Sequence, residues 1–379
     1  MDFDLTEEQV LLRDTVSRFL ADSLPFEKRQ ATIDTPPGYS QAHWQSLAEL
    51  GVLALPFSEQ SGGLGGSAID TMLVMEKMGK SLFTGPYVST VLLAGKLLEY
   101  AGEMSATSAI LEQVIDGSRK LAFAYAERSA GFDLTGTSFR AERDGDHYRL
   151  DGQKWAVFHA DSADDLIVLA RTAGSAGDAD GLSLFLVAAN TPGITLTAYP
   201  TQDGNRAADL SFEGVTVPQS SLIGGVEGQA HDGVEAVLDH ACAALVAEAT
   251  GIMWSVYEMT LDYMKTRTQF GSTLGSFQAL QHRMVDIYMM CEMAQSMSYE
   301  AATACDSGDP AHRRAAVSAA KSLIGRYGRK VGQEGIQLHG GIGMTLEFSV
   351  GHYFKRLCMI DASFGDVAFH EARYARNSV

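Results

Sequence analysis

The stretch KTRTQFGSTLGSFQALQH, from Lys265 to His282, contains the residues whose types and spacing are best suited to chemistry. It places Arg267 three residues before the aromatic–glycine pair Phe270 and Gly271, and Gln278 follows. A guanidinium at the tip of a helical hairpin is well suited to a phosphate or pyrophosphate group, because its planar fork presents parallel donors. A solvated charge on a hairpin tip is the other interpretation of Arg267 alone.

The elements that must position this stretch are long helices. Apolar residues recur at helical spacing over 231–264, 278–304 and 310–332, and DSGDP gives the last segment a turn and a helix start. Helices this long, packed side by side, predict a four-helix bundle. The first third is also helical, and Thr6 and Gln9 have the spacing of a capping box.

Between these helical regions the pattern changes to short apolar or alternating segments separated by turn residues, from LAFAYAE to ADLSFEGVTVP. This pattern is typical of a small antiparallel β domain. The sequence therefore predicts an α+β chain with a helical domain at 1–118, a β domain at 119–225 and a helical bundle at 226–379.

Composition restricts the partners and the location. The net charge of −18 argues against nucleic acid and against anionic membrane surfaces. No signal peptide is visible, and no apolar run approaches the roughly 18 residues that span a bilayer, so we expect a cytoplasmic protein.

The widely spaced cysteines predict buried thiols, not a disulfide framework or a metal site; a reactive cysteine is the alternative. They are Cys242, Cys291, Cys305 and Cys358.

Two strings resemble signatures of the acyl-CoA dehydrogenases, flavoproteins that oxidise acyl-CoA thioesters. RTQFGSTLGSFQ is similar to the family pattern RxxFGxxLxxFQ, and IQLHGGIGMTLEF is similar to QxxGGxG. In the family these segments lie against the FAD of a neighbouring subunit. The resemblance therefore implies an oligomer that shares FAD, with contacts from Arg267, Phe270, Gln278, Gln337, Gly340 and Gly341.

A third string, GVLALPFSEQSGGLG, is also similar to a family feature, and the order of helical domain, β domain and helical bundle matches the family architecture. The resemblance thus covers essentially the whole chain. It implies α,β-dehydrogenation of an acyl-CoA thioester, as in β-oxidation, with electrons passed to an electron-transferring flavoprotein. The glycines at 62–66 could form a phosphate cradle, but a tight surface turn is the preferred interpretation because no strand precedes them.

The catalytic base departs from the family pattern. Removal of a proton alpha to a thioester needs a base within hydrogen-bond reach. The residue at the family's usual glutamate position is Gly365, and the position used by a few relatives holds Ala241. Asp366, Glu248 or a carboxylate from a partner subunit are the possible substitutes. Asp366 also precedes a predicted helix at 367–376, where it would serve as an N-cap, and that role is preferred.

The segments that hold the flavin ring in the family depart as well. Ala126 stands where the family has threonine, and Ala156 and Phe158 stand where it has tryptophan and threonine. Trp155 is one residue early and, on a strand, would point to the opposite face into the core.

These departures indicate one member of a heteromeric dehydrogenase, and the N-terminal text resembles the small subunit of pimeloyl-CoA dehydrogenases. Three alternatives stay open. They are a catalytically incomplete subunit that completes a partner's active site, a flavin oxidase or monooxygenase of the same fold, and an unrelated helical protein.

Overall fold

The computed structural model describes residues 4–100, 102 and 105–377, and the chain divides into two compact units. The first unit consists of Met1–Gln30, Ser67–Phe83 and Cys242–Val379, and the second of Ala31–Gly66 and Thr84–Ala241. Each unit therefore joins segments that are distant in sequence.

The N-terminal helices begin at a capping box. The Thr6 hydroxyl accepts a hydrogen bond from the Gln9 amide, and the Gln9 side chain accepts one from the Thr6 amide, which confirms the predicted start. A π-helical stretch, Tyr87–Gly95, leads into the fifth helix. The helices before the first strand are α1 Glu7–Ser23, α2 Phe26–Ile33, α3 Gln41–Glu49, α4 Ala68–Lys80, α5 Lys96–Tyr100 and α6 Ser105–Ile115.

The middle of the chain forms one sheet, ordered β1-β4-β2-β3-β7-β6, with β5 paired to β4. Its strands are β1 Leu121–Ala124, β2 Arg140–Asp144, β3 His147–Phe158, β4 Asp165–Arg171, β5 Leu182–Ala188, β6 Ile194–Pro200 and β7 Arg206–Pro218. The sheet is mostly antiparallel, but β1 is parallel to β4. β2 is also parallel to β4, where Arg140 pairs with Arg171. The predicted β domain is confirmed, and its mostly antiparallel pairing is interrupted at the parallel β1–β4 pair.

Long helices make up the C-terminal part, as predicted. They are α7 His231–Thr266, α8 Gln278–Asp306, α9 Pro310–His339, α10 Val350–Ala362 and α11 Val367–Asn377, with a short hairpin of β8 Thr268–Gln269 and β9 Ser272–Thr273 between the first two. α9 packs against α8, α10 and α11. The predicted start of α9 is confirmed, since Asp309 caps it and Pro310 is its first residue.

α9 continues to His339, beyond the predicted end at Gly332. A Cβ atom on Gly332 would lie 2.5 Å from the Phe354 ring of α10. This glycine therefore allows two helices to approach closely, and it does not end the helix.

Among the described residues, one helix bears on the expectation that no apolar segment spans a bilayer. α7 is long and apolar enough to cross a membrane by length and composition. However, 83% of its most apolar window is buried within the fold, and the core helix of a soluble protein passes the same test.

Candidate cofactor and catalytic site

The first predicted motif lies at the end of α7. Arg267 is exposed, and its amide still donates to the Tyr263 carbonyl as part of the last helical turn. The chain then reverses through the β8–β9 hairpin, whose two-residue loop is Phe270 and Gly271. Both loop residues have positive φ, 54° and 79°.

Phe270 combines backbone strain with exposure. A positive φ is unfavourable for a bulky side chain, and two-residue hairpin loops of this kind prefer Asn-Gly. The Phe270 ring is nevertheless 92% exposed, and it makes a T-shaped contact with the Phe277 ring. A strained, exposed aromatic residue indicates a function outside the stability of the free chain.

The second predicted motif lies at the end of α9. Gln337 is exposed on the last turn, and Gly340 has a φ of 67° where the helix ends. In the described part of the chain, nothing lies within 4 Å of the point that a Cβ atom on Gly340 or Gly341 would occupy. The backbone at these two glycines is therefore open to a ligand, since no side chain covers it.

The structure brings the two motifs to the same end of the helices. The Tyr263 ring, one turn before Arg267, lies 4.6 Å from the ring of His339, the residue that precedes Gly340. A guanidinium, an exposed aromatic ring and open glycine backbone are the groups that suit the phosphates and adenine of a dinucleotide. The residues predicted to contact FAD are all exposed: Arg267, Phe270, Gln278, Gln337, Gly340 and Gly341.

α8, which begins at Gln278, presents an apolar surface. Val285, Tyr288, Met289 and Met293 are all at least 42% exposed and recur at helical spacing. Tyr288 also contacts the rings of Trp254 and Tyr257 on α7. Exposed aromatic and methionine side chains in one patch are typical of a protein–protein interface.

The family's usual base position has no space for a side chain. Gly365 has a φ of 118°, and a Cβ atom there would lie 2.4 Å from Cδ1 of Phe369 and 2.6 Å from Nε2 of His370. The second family position, Ala241, is fully buried on α7.

Asp366 acts as a helix cap. Its Oδ1 atom accepts a hydrogen bond of 2.9 Å from the amide of Phe369, in the first turn of α11. The preferred interpretation of Asp366 as an N-cap is thus confirmed. Its alternative role as a base stays a prediction.

Glu248 is held in a buried ion pair. Both of its carboxylate oxygens accept hydrogen bonds from Arg356, at 2.6 and 2.7 Å. Freeing Glu248 to act as a base would break both of these hydrogen bonds to the half-buried Arg356 guanidinium.

The two segments that correspond to the family's flavin-ring contacts contain a buried ion pair between Lys154 and Glu127. Nζ of Lys154 donates to Glu127 at 2.8 Å and to the Tyr125 carbonyl at 3.0 Å, and the lysine is fully buried. Burial lowers the pKa of Lys154 to about 8, although Glu127 favours the charged form. Burial opposes ionisation of Glu127, but Lys154 and Ser138 outweigh it and hold the pKa of Glu127 below its ordinary value.

Trp155 is not a core residue, so that prediction was wrong. It is half-buried, and the Arg128 guanidinium lies 3.3 Å from the centre of its ring. The β3–β7 register shifts between Lys154 and Val157, and Ala156 has a φ of 49°. This bulge interrupts the alternation of faces on which the core prediction rested.

The glycines at 62–66 form a tight turn, as preferred from the sequence. The amides of Gly63, Gly65 and Gly66 donate to the carbonyls of Ser58, Phe57 and Leu55. Because these donors are already used, they are not available to cradle a phosphate.

Some polar residues of this region were missed by sequence reasoning. Lys321 is buried on α9, and its Nζ donates to the Ser363 carbonyl at 2.9 Å and to the Ile360 carbonyl at the end of α10. His370 is buried beside Gly365. A lysine or histidine inside an apolar helical pattern is the only local signal for either residue.

Among the described residues, no group of three or more His, Cys, Asp and Glu side chains is placed to hold a metal ion.

Family models match nearly the whole chain. The acyl-CoA dehydrogenase N-terminal domain matches residues 6–118, the middle domain 122–215 and the C-terminal domain 232–377. The chain belongs to the acyl-CoA dehydrogenase family. It is an FAD-dependent oxidoreductase of the acyl-CoA dehydrogenase type, and members of this family act as oligomers.

Individual relatives agree in length and fold. The chain is 30% identical to mitochondrial isovaleryl-CoA dehydrogenase of Pongo abelii, over 93% of this chain and 84% of the relative. The structure described as the FAD complex of PigA is 26% identical with a TM-score of 0.92, covering 100% of this chain and 99% of the other. The ChsE4–ChsE5 complex from Mycobacterium tuberculosis is 25% identical with a TM-score of 0.89, with the same coverage.

Proposed function

We propose that this chain is one of two non-identical subunits of an acyl-CoA dehydrogenase. It contributes residues to an FAD shared across a dimer interface, and its partner supplies the carboxylate that removes the alpha proton of the thioester. The observation that carries this proposal is the packing at Gly365, where Phe369 and His370 occupy the space of any side chain.

The other carboxylates near the family's two base positions also support a catalytic base that comes from the partner subunit. Asp366 uses an oxygen to cap α11, and Glu248 uses both oxygens to bind Arg356. Glu248 therefore has both oxygens engaged, and a loop shift that presented Asp366 to a substrate would break its cap on α11.

The residues of this chain fit the nucleotide part of FAD. Arg267 would bind phosphate oxygens, the Phe270 ring would pack against a flat group, and the amides at Gly340 and Gly341 would donate from an uncovered backbone. Gln278 and Gln337 would add side-chain amides. When bound, FAD supplies the acceptor for the hydride that leaves the beta carbon.

The apolar surface of α8 and the similarity to the ChsE4–ChsE5 complex support a protein partner. Such a partner would be a second acyl-CoA dehydrogenase subunit that carries the catalytic glutamate. We extend the proposal to the pimeloyl-CoA dehydrogenase small-subunit type, to transfer of electrons to an electron-transferring flavoprotein and to a cytoplasmic location. These rest on family analogy and on the composition of the chain.

The test is expression of the full chain alone and together with a second acyl-CoA dehydrogenase subunit from the same genome. Flavin absorbance per chain and turnover of an acyl-CoA are measured in both preparations. We expect turnover only from the co-expressed pair. A chain that purifies alone with a full complement of flavin and oxidises acyl-CoA would refute the proposal.

Arg267→Ala tests the shared-cofactor part. We expect the complex to retain about tenfold less FAD after gel filtration, as lost charge-assisted hydrogen bonds imply. Lys265→Ala is the matched control, because it removes an exposed positive charge from the same tip. Equal flavin content in the Arg267→Ala variant and the unmodified complex would remove this part of the proposal.

A further inference from the structure

His339 lies between the two motifs, and its environment is unusual for an imidazole. Its side chain is 3% exposed, and its Nδ1 atom lies 2.7 Å from the Gly335 carbonyl oxygen. Because a carbonyl only accepts, Nδ1 carries the proton and the neutral ring presents Nε2 as an acceptor. Nε2 is buried and has no hydrogen-bond partner among the residues that the structure describes.

Aromatic rings contact the imidazole from two other segments. The Tyr263 ring, on the last turn of α7, is 4.6 Å away, and the Phe348 ring, in the loop after residues 340–344, is 4.8 Å away. His339 thus connects the end of α7, which Arg267 follows, with the chain before and after the Gly340–Gly341 turn.

The backbone on both sides of the His339 imidazole is closely packed, which leaves little room for the ring to move. A Cβ atom on Gly335 would lie 2.5 Å from Cγ1 of Val256, so α9 approaches α7 directly at the residue that fixes the imidazole. A Cβ atom on Gly343 would lie 2.9 Å from the Ile336 carbonyl oxygen and 3.1 Å from Cβ of His339, so the turn folds back onto α9.

We propose that His339 is a positioning residue that fixes the Gly340–Gly341 turn relative to the end of α7. Arg267 and the open glycine backbone then face the same nucleotide. This inference rests on the proposed function, because it assigns both segments to one FAD. His339 itself does not touch the cofactor in this account; it acts through the segments on which it packs.

The test begins with the full chain without flavin. Hydrogen exchange is measured for peptides covering 263–267 and 340–346 in the unmodified chain, in His339→Leu and in His339→Phe. Loss of the ring contacts should make both peptides exchange about tenfold faster in the leucine variant. The phenylalanine variant keeps a ring in the stack and should restore slow exchange.

Val331→Ala is the matched control, because it removes buried volume from the same helix without altering the imidazole. We expect it to lower overall stability while both peptides keep their protection. If both peptides keep their protection in His339→Leu as they do in Val331→Ala, His339 is an ordinary core residue and the inference is overturned. Should the leucine variant not fold, His339→Asn removes the ring but keeps an N–H, and faster exchange is expected there.

FAD retention by the co-expressed complex separates this inference from the proposed function. Loss of FAD in both Arg267→Ala and His339→Leu, with retention in Val331→Ala, supports both. Loss in Arg267→Ala alone overturns the role of His339 and leaves the shared cofactor in place. Retention in Arg267→Ala overturns the shared cofactor, and with it the role of His339 toward FAD.

Discussion

The Nε2 atom of His370 lies 2.6 Å from the point that a Cβ atom on Gly365 would occupy. The Phe369 ring lies 2.4 Å from the same point, and the φ of 118° at Gly365 disfavours any other residue. The surrounding side chains, and not Gly365 alone, therefore leave no room for a carboxylate at this position.

Gly365→Ala should lower the free energy of unfolding by about 2–4 kcal/mol, because the new methyl group overlaps two rings and strains the backbone. Urea unfolding measures this. In a His370→Ala background the same substitution should cost about 1 kcal/mol less, since the residues contact each other. Gly341→Ala is the control, with an open environment and a change within about 0.5 kcal/mol. Equal costs at 365 and 341 would contradict the packing argument.

Phe270→Asn should separate stability from cofactor binding. Asn-Gly suits a two-residue loop with positive φ at both positions, so the free energy of unfolding should rise by about 0.5–1 kcal/mol. The same change removes the exposed ring, and FAD retention by the complex should fall about tenfold. Thermal unfolding and flavin absorbance measure the two effects. An unchanged flavin content would show that the ring does not contact the cofactor.

Asp366→Asn should leave turnover of the co-expressed pair within a few-fold of the unmodified enzyme. Asparagine caps helices as well as aspartate does, so stability should also change little, whereas Asp366→Ala should cost about 1 kcal/mol. Steady-state kinetics and urea unfolding measure these effects. If the asparagine variant keeps its flavin but loses turnover, Asp366 is the base and the partner is not needed for proton removal.

The stability of the chain should depend on pH through His370. Burial, together with Lys321 and Arg373, lowers the pKa of His370 to about 3, whereas an unfolded histidine titrates near pH 6.5. Between these values the unfolded chain binds one more proton than the folded chain. The free energy of unfolding should therefore fall as the pH falls, by up to about 1.4 kcal/mol per pH unit from this residue.

His370→Phe removes this titration while keeping a ring in the same position. Urea unfolding at pH 7 and pH 5 should show a smaller loss of stability in this variant than in the unmodified chain. The same pH dependence in both proteins would mean that His370 is not buried in its neutral form.

The sequence alone determined which parts of the chain are helical and which form strands. It also identified the three segments that carry the family resemblance. Helical and strand periodicities are local properties, and so are the capping box at Thr6 and Gln9 and the N-cap at Asp366. The end of α9 was misplaced at Gly332, because the sequence does not distinguish a glycine that allows close helix packing from one that ends a helix.

Only the tertiary structure decided which candidate residues are free and which are occupied. The ion pair of Glu248 with Arg356 joins residues on different helices, and the Arg128 guanidinium covers Trp155 across two segments. The stack of His339 with Tyr263 and Phe348 likewise depends on three separate segments. Such contacts depend on distances in space between distant parts of the chain, and periodicity along the chain does not contain those distances.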